Sequence, residues 1–118
     1  MTFICYSRCT TCKKAQKWLD ERGVGYEARD IKGDNPSADE LKAWLKTSGL
    51  PVKRFFNTSG VLYKTLNIKD KLGDMSEDEC VELLATDGLL VKRPILVGDG
   101  FVLIGFKEPE WEKAVGGA

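Results

Sequence analysis

The chain opens on an apolar run, Thr2-Phe3-Ile4-Cys5-Tyr6, and after polar Ser7-Arg8 its apolar positions recur at Cys12, Ala15, Trp18 and Leu19. The aromatic and β-branched residues of the first pattern predict a strand. The spacing of the second predicts an amphipathic helix, because it places one stripe on one face. Thr10 is expected to cap that helix and Gly23, after Asp20-Glu21-Arg22, to end it. Alternation along Tyr26-Glu27-Ala28-Arg29-Asp30-Ile31 predicts a second strand, weakened by its Glu, Ala and Asp.

Further on, Asp34-Asn35-Pro36-Ser37 predicts a turn with Ser37 as N-cap of a helix over Ala38 to Lys46, whose stripe is Leu41, Trp44 and Leu45. That helix ends before Gly49-Leu50-Pro51. From Val52 to Leu72, large apolar residues scattered among Lys and Asn predict short helical turns around the loop Asn57-Thr58-Ser59-Gly60. Ser76, three residues before Glu79, predicts a capping box for a helix carrying Cys80, Val81, Leu83 and Leu84, with Gly88 expected to close it. Ile95-Leu96-Val97, a Gly98-Asp99-Gly100 turn and Phe101-Val102-Leu103-Ile104 read as a β-hairpin, and Pro94 is tolerable at the first position of its first strand. The tail from Glu108 to Val115 predicts a last short helix around Trp111, before Gly116-Gly117-Ala118 frays. The order is β-α-β, helices, β-β, α, an α/β class with neither repeats nor a linker. One domain over residues 1–118 is expected, with a helical insertion at about residues 37–87.

Composition supports a packed fold. Of 118 residues, 42% are hydrophobic, and three Trp, three Tyr and five Phe supply large side chains, which excludes a disordered chain. Eighteen basic residues balance eighteen acidic ones, so no net field draws the protein to nucleic acid or to an anionic membrane. The first residues lack a basic leader and an apolar run of signal length, and no later stretch approaches a membrane span. A cytoplasmic protein is expected, with neither direct nucleic-acid binding nor membrane contact.

Cysteines stand at 5, 9, 12 and 80. Three crowded together and one alone do not make a secreted disulfide framework, and in a reducing compartment such thiols are catalytic, redox-sensing or metal-binding. The chain has no histidine, so no Cys-His or Ser-His pair exists and any reactive thiol is activated by something else. Cys9 falls where the first strand turns into its helix, and there the unsatisfied N–H groups and the positive end of the helix dipole favour a thiolate. Its pKa is expected in the range of roughly 3.5–7.5 known for such sites, and Arg8 adds positive charge. Lys13 and Lys14 run against the same dipole at a cost of ~0.3–1 kcal/mol each, which fits either an anion site or an exposed solubilising face. Cys12 either resolves a mixed disulfide on Cys9 or is simply the first apolar member of the helix stripe. A zinc site is disfavoured because neither a second Cys-x-x-Cys nor a histidine completes the ligands, and no metal is expected. Cys5 and Cys80 read as small buried hydrophobes, and Trp18, Trp44 and Trp111 as packing residues.

A strand followed by Cys9-Thr10-Thr11-Cys12-Lys13-Lys14-Ala15, then a distant Lys92-Arg93-Pro94-Ile95 before a hairpin, resembles the ArsC/Spx family over essentially the whole chain. The likeness is strongest to its short Spx/MgsR branch, through Phe55-Phe56-Asn57-Thr58-Ser59-Gly60 and Met75-Ser76-Glu77-Asp78-Glu79. The resemblance implies a thioredoxin-like fold with a mixed central sheet and a helical insertion. It also implies Cys9 as the redox-active cysteine, Cys12 as its partner, Pro94 as a cis-proline opposite the cysteine turn, and Arg93 as an arginine holding an oxyanion. The candidate site is therefore Cys9 and Cys12, with Arg8, Thr10, Thr11, Arg93 and Pro94 around a bound anion.

Departures from the family pattern bear on the substrate. Further arginines of arsenate reductases are replaced by Asn57 and by Phe106 or Lys107, and Ser7 replaces a proline often found two residues before the cysteine. The resemblance thus implies a thiol-disulfide or oxyanion reductase that binds no cofactor and draws electrons from glutathione/glutaredoxin or thioredoxin. Its alternative is an Spx-like redox-sensing regulator that binds the C-terminal domain of the RNA polymerase α subunit. Against the regulator, the chain stops soon after Trp111 without Spx's longer charged tail, and Ser59 stands where an arginine of that pattern falls. A site that is purely structural is the third reading, since a fold does not fix a function.

Overall fold

Strand β1 (Thr2–Cys5) lies inside a four-stranded mixed sheet of order β2-β1-β3-β4, as seen in a computed structural model that describes residues 1–116. It pairs in parallel with β2 (Glu27–Asp30) and antiparallel with β3 (Ile95–Val97), which pairs antiparallel with β4 (Val102–Ile104). Phe3, Ile4, Ile95 and Leu96 are fully buried. Inner strands covered on both faces must be apolar at successive positions, which is why β1 and β3 read as continuous apolar runs. β2 occupies the sheet's edge and is exposed at three of its four residues, which accounts for its Glu-Ala-Arg-Asp sequence.

The pleat divides the core in two. Ile4, Ile95, Val102 and Ile104 face one cluster, built with Leu41, Trp44 and Leu45 of α2 (Ala38–Ser48) and Cys80, Val81 and Leu84 of α5 (Glu77–Thr86). Phe3 and Leu96 face the other, with Ala15, Trp18 and Leu19 of α1 (Thr10–Glu21) and Trp111 at the end of α6 (Glu108–Trp111). Both capping boxes form: the Ser37 and Ser76 hydroxyls each accept the N–H of Glu40 and Glu79 at 3.1 Å, and the two glutamates accept the serine N–H groups in return. Gly49 ends α2 in the left-handed region at φ 69°, where glycine carries no Cβ penalty.

The middle of the chain forms the expected short turns. A 3₁₀ turn at Val52–Phe55 precedes the loop at residues 57–60, and α3 (Val61–Thr65), α4 (Ile68–Lys71) and a 3₁₀ turn at Leu72–Asp74 follow it. A single antiparallel bridge, Phe56 to Val91, ties this segment to the approach to β3.

Two local expectations are corrected. Thr10 is not the cap of α1; it is the first helical residue, and Cys9 is the N-cap in an extended conformation at φ −93°, ψ 117°. Gly88 does not close α5, which ends at Thr86. Asp87 instead caps a new 3₁₀ turn, Gly88–Leu90, by accepting the Leu89 N–H at 2.9 Å. Gly88 is needed for space, since a Cβ there would lie 1.7 Å from the Ile31 carbonyl oxygen. The tail is helical from Glu108 as expected, with α6 giving way after Trp111 to a π-helical turn over Glu112–Gly116, and Gly117 and Ala118 lie outside the described residues. The Trp111 indole donates to the Gly105 carbonyl at 2.9 Å, and Arg22 stacks 3.8 Å over the Trp18 ring while pairing with Glu112 at 2.8 Å. Among the described residues no helix is long and apolar enough to cross a membrane.

Candidate redox site

The end of β1 delivers the chain to Cys9, whose N–H donates to the Tyr6 carbonyl at 2.9 Å and so closes the turn into α1. The Cys9 Sγ then accepts the backbone N–H of Cys12 at 3.4 Å, as a cysteine in the N-cap position can. Cys12 is buried in the first turn of α1, and its own Sγ accepts the Tyr6 N–H at 3.4 Å. The two thiols therefore have different surroundings three residues apart.

Their acidities diverge accordingly. Burial pushes the Cys9 thiol up, but the Cys12 backbone N–H, the Cys12 thiol and the Arg93 guanidinium together outweigh it and hold Cys9 below its ordinary value. Burial drives Cys12 the other way, joined by the proximity of Cys9, to about 12. Cys5 is also raised, first by burial and then by Asp30 and Cys9. It is half-buried rather than fully buried as expected, whereas Cys80 lies in the core; all four cysteines are free thiols.

Arg93 reaches the site from the segment before β3, and its peptide bond to Pro94 is cis. Its guanidinium lies 5.0 Å from the centre of the Tyr6 ring and donates to the Leu89 carbonyl at 3.4 Å, which fixes it beside the cysteine turn. The backbone holds the opposite wall in place: the Asn57 N–H donates to the Leu90 carbonyl and the Lys92 N–H to the Phe55 carbonyl, both at 2.8 Å.

A cavity of about 430 Å³ opens between these walls. Cys9, Thr11 and Arg93 of the expected set line it, and Cys12 lies buried behind Cys9. Arg8 and Thr10 are exposed and do not line it, and Pro94 is buried behind Arg93. Asn57, Phe106 and Lys107, noted in the sequence only as replacements for arginine, all line it. Sequence reasoning missed the other lining residues, Lys92 and Gly105 among them. The available signals were a pair of adjacent cations before a proline and a glycine directly after a strand. The second is explicit in the structure: Gly105 has φ 73°, and a Cβ there would meet the Lys92 Cε at 2.9 Å.

The sequence model of the ArsC family matches residues 5–114. This chain belongs to the ArsC family. Its relatives include Uncharacterized protein YusI of Bacillus subtilis strain 168, 50% identical over 113 residues, which are 96% of this chain and 96% of YusI. Regulatory protein MgsR of the same organism is 30% identical over 110 residues, 93% of this chain and 86% of MgsR. Among solved structures, the crystal structure of an ArsC family related protein from Bacteroides fragilis superposes with a TM-score of 0.93 at 57% identity, covering 95% of this chain and 94% of that one. The mixed sheet with its intervening helices is thus the ArsC form of the thioredoxin-like fold.

Proposed function

We propose that this ArsC-family protein is a cytoplasmic thiol-redox enzyme, a thiol-disulfide or oxyanion reductase in which Cys9 attacks and Cys12 resolves. The observation that carries this reading is the opposed character of two thiols in one turn: Cys9, with lowered pKa, lines a cavity, and Cys12, with raised pKa, is buried behind it. The thiolate is the attacking species in thiol-disulfide exchange, so the half-buried, cavity-lining partner with the lowered pKa acts first.

With a disulfide substrate, the Cys9 thiolate forms a bond to one substrate sulfur while the substrate S–S bond breaks, and the departing thiolate leaves with the bonding pair and takes a proton from water. The Cys12 thiol then gives up its proton and attacks the Cys9 sulfur, releasing the second substrate thiol and leaving a Cys9–Cys12 disulfide. Two thiols of glutathione, or the dithiol of thioredoxin, reduce it and are themselves oxidised to a disulfide. Forming the mixed disulfide removes the Cys9 charge, and with it part of what holds Cys12 up, so the second thiol becomes more acidic when it is needed.

NADPH oxidation coupled through glutathione reductase with glutaredoxin, or through thioredoxin reductase with thioredoxin, tests the reading on disulfide and arsenate substrates. Turnover lost in Cys9→Ser, and a mixed disulfide trapped in Cys12→Ser, are the expected results; no turnover with either donor overturns it. A second reading has its own support in the 30% identity with Regulatory protein MgsR: a redox-sensing regulator that binds the C-terminal domain of the RNA polymerase α subunit. Absence of binding to that isolated domain in both redox states removes this alternative.

A further inference from the structure

We propose that the cavity beside Cys9 selects small disulfides that carry carboxylates, with Lys92 as the residue that sets this specificity and Lys107 as a second cation on the wall. The inference rests on Cys9 being the attacking thiol.

Three cations, Lys92, Arg93 and Lys107, line the cavity, and no carboxylate side chain does. Among the described residues none of the three has a carboxylate within 4.0 Å. The contrast with Arg29, another half-buried cation, is direct: Arg29 pairs with both Glu40 and Asp34. Arg93 is already engaged by the Tyr6 ring, the Leu89 carbonyl and Cys9. Lys92 is not, yet it is half-buried rather than extended into solvent. Gly105 makes this possible, because any side chain there would displace the Lys92 stem lying across it. A carboxylate entering the cavity therefore meets cations that no carboxylate side chain of the described residues already neutralises.

Size separates an organic anion from a simple oxyanion. At about 430 Å³ the cavity falls in the range of roughly 300–1,000 Å³ typical of small-molecule sites. A tetrahedral oxyanion of five heavy atoms leaves most of that space unfilled. A disulfide bearing carboxylates can meet Cys9 with its sulfurs and Lys92 and Lys107 with its charges, in a cavity that Asn57, Thr58 and Ser59 also line. The chemical step is thiol-disulfide exchange: one S–S bond forms to Cys9, one breaks, and the leaving thiolate carries the electron pair. The carboxylates are unchanged.

The test is the rate at which Cys9 is alkylated by iodoacetate and by iodoacetamide, measured by peptide mass spectrometry on the full chain and expressed as their ratio relative to free glutathione. The fraction of Cys9 present as thiolate cancels in this ratio, so it reads the charge of the incoming reagent rather than the acidity of the thiol. Expected is a ratio above that of free glutathione that falls about fivefold in Lys92→Met, falls with added salt in the wild-type protein, and is restored in Lys92→Arg. Lys107→Met lowers it less, because Lys107 is exposed, and Lys46→Met on α2 leaves it unchanged. A wild-type ratio equal to that of glutathione, or one unmoved by Lys92→Met in a variant with native circular dichroism, overturns the inference while leaving Cys9 as the attacking thiol. Cys9 unreactive to both reagents overturns the underlying reading and this inference with it.

Discussion

The backbone N–H of Cys12 donates to the Cys9 sulfur over 3.4 Å, so the helix that carries the second thiol also stabilises the anion of the first. The reverse relation differs: Cys9 raises Cys12 rather than lowering it. One turn of helix thereby makes two chemically unequal cysteines without a histidine.

The rate of Cys9 alkylation by iodoacetamide should rise with pH with a midpoint below the ordinary thiol value of 9.0. Arg93→Met and Cys12→Ala should each move that midpoint upward, the first by removing a cation and the second by removing a thiol hydrogen bond while leaving the backbone N–H in place. A midpoint unmoved in both variants would mean that the helix terminus alone sets the acidity of Cys9.

Stability should fall on the alkaline side because of Cys12. Its pKa is raised on folding from 9.0 to about 12, so between those values the folded state keeps a proton that the unfolded chain releases. The contribution is fully present below about pH 9 and is lost as the pH rises towards about 12. Urea midpoints at a series of pH values should decline less steeply over this window in Cys12→Ala than in the wild-type protein.

At the acid end the corresponding group is Glu40. The Arg29 guanidinium, reaching both carboxylate oxygens at 2.6 and 2.9 Å, together with the Ser37 N–H, outweighs partial burial and holds Glu40 at about 2 instead of 4.5. This stabilisation is present above about pH 4.5 and is lost as the pH falls towards about 2. Arg29→Met should cost about 1 kcal/mol at neutral pH, allowing for solvent screening of a partly exposed pair. The difference from wild type in urea denaturation should shrink towards pH 2.

Gly88→Ala should destabilise the protein strongly. The added methyl would fall 1.7 Å from the Ile31 carbonyl oxygen, a backbone atom that cannot swing aside as a side chain can. A loss at the upper end of about 1–3 kcal/mol is expected from overpacking, seen as a lower urea midpoint. An Ala variant as stable as wild type would show that the 3₁₀ turn after α5 shifts freely.

The amino-acid sequence by itself determined the order of elements, the buried stripe Cys12-Ala15-Trp18-Leu19, the two Ser/Glu capping boxes and the position of Cys9 at the start of α1, because each depends on residues within one or two turns of one another. It misassigned the cap of α1, since Thr10 and Cys9 both stand at the junction and only backbone geometry distinguishes them. Gly88 looked like a helix stop for a similar reason: the carbonyl that excludes a side chain there belongs to Ile31, distant in sequence. The cavity was hidden altogether. Lys92, Asn57 and Lys107 meet around Cys9 only because the Phe56–Val91 bridge and the β3–β4 hairpin bring three remote segments against the start of α1. Local pattern thus singled out Cys9 at the start of α1, and long-range strand pairing decided which charges surround it.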